Sequence, residues 1–453
     1  MHPIFSITVE DIKSLTDGQS RELVARLCRA EVREHGFSQA AVTWGGDQRA
    51  KDGGVDVRVD VDPPIGISGY IKKDRCAFQV KAEKFGPGKI PDEMAPKGVL
   101  RPAIVELAND NGAYMIVSTR DSVSATSLSA RIKAMAACLS DNGLSGKVVV
   151  DFYDCRRIAD WVEQHPAIAN WIRHVIGKPL VGWQPYSPWA YQESDTESEY
   201  LVDDRVKVFV PNADEGSDVL SAINRLRNDL NKNVSVRIVG LSGVGKTRLV
   251  QALFDKRICT ELPELDAENV VYTDLSDNPT PQPNAMVEAL VTDNSDCVVV
   301  IDNCGHDVHQ RLTDTVKRHG SKVRLITVEY DIRDDLPEGT ICYRLEGSSD
   351  DVIKKLLKRR FKVLSGRDID KIAEFSDGNA RVAYALAFST ETTGELAQLR
   401  DSELFKRLFV QKHADNDEIL RCAETASLGL SISLCKWFFR SFTIQAFCLQ
   451  KLC

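Results

Sequence analysis

The segment GLSGVGKT, Gly240 to Thr247, has residue types and spacing suited to holding a polyphosphate. It matches G-x-x-x-x-G-K-[ST] and lies between a strand-like and a helix-like run, the context this motif requires. Gly240, Gly243 and Gly245 let the backbone curl so that N–H groups face phosphate oxygens without side chains intervening. The helix that follows turns its positive end toward the same oxygens. Lys246 is expected to bridge the β- and γ-phosphates, and Thr247 to hold Mg2+. Asp302 closes the apolar run CVVVI, where a carboxylate completes the metal's coordination through water. The residue after it is Asn303, an amide that orients water but is a poor base, so hydrolysis is expected to be slow or to await another group. Thr327 ends VRLIT, where a γ-phosphate sensor would lie; an ordinary β-branched strand residue is an equal reading.

A second constellation lies near the N-terminus. Asp56 follows the Gly53-Gly54 turn, and Gln79 and Lys81 share one face of a later strand. An acid and an amide oxygen suit Mg2+, and Lys81 suits a pentavalent phosphate; together these are parts for phosphodiester cleavage. Glu31 falls on the apolar face formed by Leu23, Val24, Leu27 and Cys28, with Glu22 opposite. An inward carboxylate needs a cationic partner, so Glu31 is the expected fourth member. Asp47 and Asp52 read as turn residues. Lys72, Lys73, Arg75, Lys84, Lys89, Lys97 and Arg101 surround the Gln-x-Lys strand, a local excess that would meet a phosphate backbone; a run of solvated side chains is an equal reading.

The elements that position these groups read as follows. A helix over 17–35 precedes strands at 55–61, 76–82, 112–119 and 147–154, with a helix at 122–140 and a last helix broken near Pro166. This predicts a mixed α/β first domain over 1–178. A Pro-, Ser- and acid-rich linker follows at 179–204, where Trp183, Tyr186 and Trp189 offer contacts to a neighbour. Strands VSVRIVGL, ENVVYTDL, DCVVVIDNC and KVRLITVEY alternate with helices over 205–345, predicting a doubly wound parallel sheet. Helices fill 346–430, and 431–453 is acid-free, rich in Phe and Cys, and expected to be an aberrant end left by truncation or a frame shift.

Composition narrows the function classes. The net charge of −8 over 453 residues confines nucleic-acid contact to a local patch. The twelve cysteines include no Cys-x-x-Cys pair, which excludes the usual zinc and disulfide frameworks and fits a reducing cytoplasm. No apolar run is long enough to span a membrane, and no signal peptide is legible.

Two resemblances follow from these motifs. GLSGVGKT, VVVID and DGNARVAYAL resemble the STAND class of signal-transduction ATPases over about 205–430. In that class a Gly-x-Pro triplet touches the adenine; here the triplet is Gly378-Asn379-Ala380, so that contact is not carried over. The Gly-Gly-x-Asp … Gln-x-Lys pattern resembles the Mrr-like PD-(D/E)xK restriction endonucleases over about 15–178, with Gln79 in place of the usual acid. The pairing implies an ATP-gated, Mg2+-dependent endonuclease of bacterial anti-phage defence. It implies duplex DNA as target, a viral protein as trigger through a sensor missing here, and homo-oligomers on activation. Two alternatives stay open: a STAND-type transcription regulator with an inactive DNA-binding module, and a P-loop restriction motor subunit.

Overall fold

The computed structural model describes residues 3–45, 55–62, 69–190, 200, 206–210, 215–232, 235–318, 320–329 and 340–393. The expectations for Asp47, Asp52, the helical region beyond residue 393 and the segment 431–453 lie outside the described residues. The chain divides into two compact units. One comprises the chain to Trp189 with Glu268–Val299 and Thr315–Val323; the other comprises Ala190–Ala267, Val300–Asp314 and the described residues from Arg324 on.

The first unit opens with α1 (Val9–Ser14) and α2 (Asp17–Glu34). Thr8 and Thr16 begin them, each closing a reciprocal capping box with Asp11 or Gln19. Strands β1 (Val42–Trp44), β2 (Val57–Asp60) and β3 (Arg75–Lys81) follow. Two short helices, α3 (Ile90–Met94) and α4 (Pro102–Asn109), lead to β4 (Ala113–Ser118). Next come α5 (Ala125–Asp141), β5 (Val149–Tyr153), α6 (Cys155–Val162) and α7 (Pro166–Val175). The break foreseen at Pro166 is real: proline opens α7, where its missing N–H has no intrahelical partner to lose.

The strand order is β1-β2-β3-β4-β5. β1–β2 and β2–β3 are antiparallel, while β3–β4 and β4–β5 are parallel. In register, Val57 faces Phe78 and Gln79 faces Ile116. Leu23, Val24, Leu27 and Cys28 of α2 are fully buried, as the helical wheel predicts. A second layer on the sheet gathers Ile104, Tyr114, Ile116, Met135, Leu139 and Phe152. The Ile, Leu, Met and Phe side chains among them each contribute roughly 1.5–3 kcal/mol of burial.

The stretch expected as a connector contains a strand, β6 (Trp183–Gln184), and a turn of helix, α8 (Tyr186–Ala190). β6 pairs antiparallel with β9 (Val270–Asp274), Trp183 donates to the Pro281 carbonyl at 2.8 Å, and Trp189 stacks on Tyr272 at 4.3 Å.

The P-loop sheet is a doubly wound α/β sheet. In chain order it comprises β7 (Val208–Phe209), α9 (Val219–Asn231), β8 (Ser235–Val239), α10 (Lys246–Ala252), β9, α11 (Pro283–Thr292), β10 (Cys297–Asp302), α12 (His306–Val316), β11 (Val323–Val328) and β12 (Thr340–Leu345). Its order is β6-β9-β10-β11-β8-β12-β7. β8 lies parallel between β11 and β12, and every residue of β8 and β10 is buried; β10 is apolar up to Asp302, while β8 also buries Ser235 and Arg237, whose guanidinium donates to the Cys304 carbonyl at 3.0 Å. The parallel core is as the alternation predicts, and both edge strands, β6 and β7, pair antiparallel with their neighbours. Three helices follow: α13 (Asp350–Arg360), α14 (Gly366–Ser376) and α15 (Ala380–Thr393), packed through Ile353, Leu357, Phe361, Ile372 and Leu386. Among the described residues no helix is long and apolar enough to cross a membrane.

Candidate functional site

Strand β8 delivers the chain to Gly240, whose φ of 145° turns it under the Leu345 carbonyl; a Cβ there would strike that oxygen. Gly243 and Gly245 have φ of 88° and 102°, the left-handed region that glycine enters without cost. The loop ends at the start of α10, with Lys246 and Thr247 in its first turn. Thr247 Oγ1 donates to Asp302 Oδ2 at 2.6 Å, joining the two groups expected to share a metal. Lys246 Nζ is buried and donates to the Gly240 and Leu241 carbonyls, both at 2.8 Å. Burial pulls its ammonium down to about 8, although the charges of Asp302 and Glu329 push the other way.

The Gly378-Asn379-Ala380 triplet lies against this loop. Asn379 Nδ2 donates to the Ser242 carbonyl at 2.7 Å, and the Ala380 N–H to the Gly243 carbonyl at 3.1 Å. Proline at 380 would lack that N–H, which gives a physical reason for alanine. Arg381 donates to Ser242 Oγ at 2.8 Å. Sequence reasoning passed over Arg381; a cation three residues beyond a glycine at a helix start was its signal.

Thr327 lies in β11. It is fully buried, and its Oγ1 is hydrogen-bonded with His309 Nδ1 at 2.7 Å, so its hydroxyl serves an internal network that includes Thr340.

In the first unit, the β2–β3 hairpin brings Asp56 and Gln79 together. Asp56 Oδ2 accepts from Gln79 Nε2 and from the Val80 N–H, each at 2.7 Å. Arg21 of α2 pairs with Asp56 at 3.2 Å and with Asp17 at 2.8 Å. Burial raises the Asp56 pKa, opposed by the Val80 N–H and by the charges of Arg21 and Lys81. Gln79 Oε1 is buried with no hydrogen-bond partner among the described residues. That orphan acceptor beside a desolvated carboxylate fits a hard cation such as Mg2+. The described residues contain no cluster of three or more His, Cys, Asp or Glu suited to a metal, so a cation here would be held by few protein groups and by water.

Lys81 sits at the strand end and pairs at 2.6 Å with Glu93 of α3, which also pairs with Arg101 at 3.1 Å. Glu93 was missed because α3 is a single turn inside a Pro- and Gly-rich stretch with no helical period to read. The surrounding basic surface is partly neutralised: Lys89 pairs with Glu83, and Arg75 approaches Asp60.

Glu31 belongs elsewhere. Its Oε1 accepts the Ile71 N–H at 3.0 Å, and it lies against Gly69, where a Cβ would meet its carboxyl. Its charge is felt by Cys28 and by Cys76 at the opposite end of β3 from Lys81. Burial pushes its carboxyl up to about 7. The helix residue that reaches Asp56 is Arg21, a cation. Glu22 pairs with Arg26 on its own helix.

No family model matches the chain, and no curated protein matches it. Solved structures to which it is similar include a Walker-type ATPase of Pyrococcus abyssi, at 12% identity, covering 46% of this chain and 76% of that one with a TM-score of 0.29. Another is PCH-2 of C. elegans, at 14% identity, 44% and 68% coverage, and a TM-score of 0.25. A third is a signal transduction ATPase with numerous domains and a tetratricopeptide repeat sensor from Pyrococcus horikoshii, at 14% identity and a TM-score of 0.26. That match covers 51% of this chain and 36% of the Pyrococcus horikoshii protein, so the chain spans little more than a third of its length.

Proposed function

We propose that this chain is an ATP-binding switch that controls an Mg2+-dependent DNA endonuclease. The observation that carries the nucleotide half is the Thr247–Asp302 hydrogen bond of 2.6 Å at the mouth of a glycine loop. The nuclease half is carried by the Gln79–Asp56 contact of 2.7 Å, with Lys81 two residues along the same strand face. Asp56 and Gln79 Oε1 would hold the metal, which supplies charge neutralisation at the scissile phosphate. Lys81, released from Glu93, would meet the phosphate's developing charge. Thr247 and Asp302 would hold a second Mg2+ with the nucleotide, and Lys246 would leave its loop carbonyls for phosphate oxygens. The resemblance to STAND ATPases with Mrr-like nucleases supports a role in anti-phage defence, with duplex DNA as substrate, a viral protein as trigger and assembly on activation.

The test is plasmid cleavage by the full chain, clustered by fusion to a tetrameric scaffold, with ATP, in Mg2+ and in Mn2+. Asp56→Ala and Lys81→Ala should each reduce nicking by about 100-fold or more while ATP binding stays unchanged. Equal cleavage by parent and both variants would remove the nuclease reading. DNA binding without cleavage in any of them would favour the regulator.

A further inference from the structure

We infer that Glu329 is the general base of ATP hydrolysis in this site, standing where a second acid after Asp302 would otherwise act. The inference rests on the ATP-binding reading above.

Strand β11 runs between β10, which ends in Asp302, and β8, which feeds the glycine loop. Glu329 is the first residue past β11, and two backbone hydrogen bonds fix its place. Its N–H donates to the Ile238 carbonyl at 2.9 Å, two residues before Gly240. The Val328 carbonyl just before it accepts the Cys304 N–H at 2.9 Å, two residues after Asp302. Glu329 is therefore held at the carboxyl edge of the sheet, between the phosphate loop and the metal-site acid.

Its side chain stays there. Glu329 is 6% exposed, and its Oε2 lies 3.8 Å from where a Cβ on Gly305 would stand. Gly305 carries no side chain to fill that space. The Glu329 charge is felt by the Lys246 ammonium, the group expected to meet the γ-phosphate.

The residues expected to serve the reaction do not supply a base. Asn303 is exposed, with a left-handed φ of 54°, and its N–H donates to Asp302 Oδ1 at 2.9 Å. An amide also has no useful proton affinity. Thr327 is committed to His309. Asp302 is committed to Thr247. Glu329 supplies the carboxylate, two positions past Thr327.

A water oxygen bonds to the γ-phosphorus while one of its protons passes to the Glu329 carboxylate. The bond from that phosphorus to the β–γ bridging oxygen breaks, and its electron pair stays on ADP. Inorganic phosphate leaves, and Glu329 returns its proton to solvent. Lys246 would neutralise the phosphate oxygens, and Thr247 and Asp302 would hold an Mg2+ able to supply further charge neutralisation there.

The experiment uses the full chain, with a fluorescent ATP analogue for binding and single-turnover phosphate release for chemistry. Glu329→Gln should bind the analogue within about threefold of the parent and release phosphate about 100-fold more slowly. Its rate should also lose the rise with pH that a carboxylate base gives the parent. If Glu329→Gln melts well below the parent, Glu329→Asp takes its place: it should keep binding and the pH rise but lose about tenfold in rate. Hydrolysis at the parental rate in the folded variant overturns the assignment. So does a parent that binds ATP without turning it over, an outcome that leaves the nucleotide reading intact. A parent that does not bind the analogue at all overturns the nucleotide reading itself.

Discussion

Replacing Glu31 by Gln should make the protein's stability less sensitive to pH without stopping catalysis. Glu31 is buried, its Oε1 holds the Ile71 N–H, and its Oε2 has no hydrogen-bond partner among the described residues. Burial raises its carboxyl from 4.5 to about 7 in the fold. A carboxyl raised in this way binds its proton more tightly in the native state. Its cost to stability is absent below about pH 4.5, grows as pH rises, and is complete above about 7. Between about pH 5 and about pH 8.5 the parent should lose about 2.5 kcal/mol that Glu31→Gln keeps. Glutamine resembles the protonated acid, with one acceptor for Ile71 and one donor in place of Oε2. The assay is hydrogen exchange of the Ile71 amide, read at both pH values against amides of the P-loop sheet. Protection should fall with pH in the parent and stay level in the variant. Parallel pH curves for the two proteins would refute the burial argument. Loss of DNA cleavage in a fully stable Glu31→Gln would instead return Glu31 to the catalytic site.

Three further outcomes follow from the glycine loop. Lys246→Ala should weaken the fluorescent ATP analogue about 100-fold in a titration while far-UV circular dichroism stays unchanged, because the loop loses its buried ammonium. In the parent, that ammonium sits at about 8 before nucleotide arrives and binding favours its charged form, so affinity should fall as pH rises through 8; flat affinity to about pH 9 would contradict this. Gly243→Ala, at a φ of 88° and with its Cβ against Asn379 and Arg381, should cost about 1–2 kcal/mol and lower the melting temperature.

The sequence announced much of this architecture because its signals are local. Strand β10 reads as an unbroken apolar run up to Asp302 since it is buried along its whole length. Gly240, Gly243 and Gly245 fall where positive φ is needed. Asp56 and Gln79 were legible as partners because a hairpin register and a two-residue period fix which side chains meet. Glu31 shows where such reasoning stops. A helical wheel gives the direction in which a residue points but not its height along the axis. Ten residues of helix separate Arg21 from Glu31, about 15 Å, so both face the sheet while only one reaches Asp56. Glu93 and Glu329 were invisible for a related reason. Glu93 lies in a single helical turn with no period to read, Glu329 falls at the end of a strand run, and the meaning of each depends on which groups the fold brings beside it.

The grip of α15 on the glycine loop supplies a route from nucleotide to helical region. The contacts made by Asn379 and Ala380 fall on the backbone of Ser242 and Gly243, inside the loop that phosphates must enter. The start of α15 presents the positive end of a helix, and Arg381 adds a full charge beside Ser242. Both attract phosphate oxygens, and a third phosphate adds more negative charge than two. ATP should therefore hold α15 against the loop more tightly than ADP. A nucleotide shifts such an equilibrium only by its difference in affinity for the two arrangements. Arg381 is a direct source of that difference, because its guanidinium reaches the loop from a helix that belongs to neither β8 nor β10. Removing its charge as Arg381→Gln should leave ADP affinity nearly unchanged and narrow the gap between ATP and ADP. An unchanged gap, measured by competition against the fluorescent analogue, would mean that the helical region reads nucleotide by another contact.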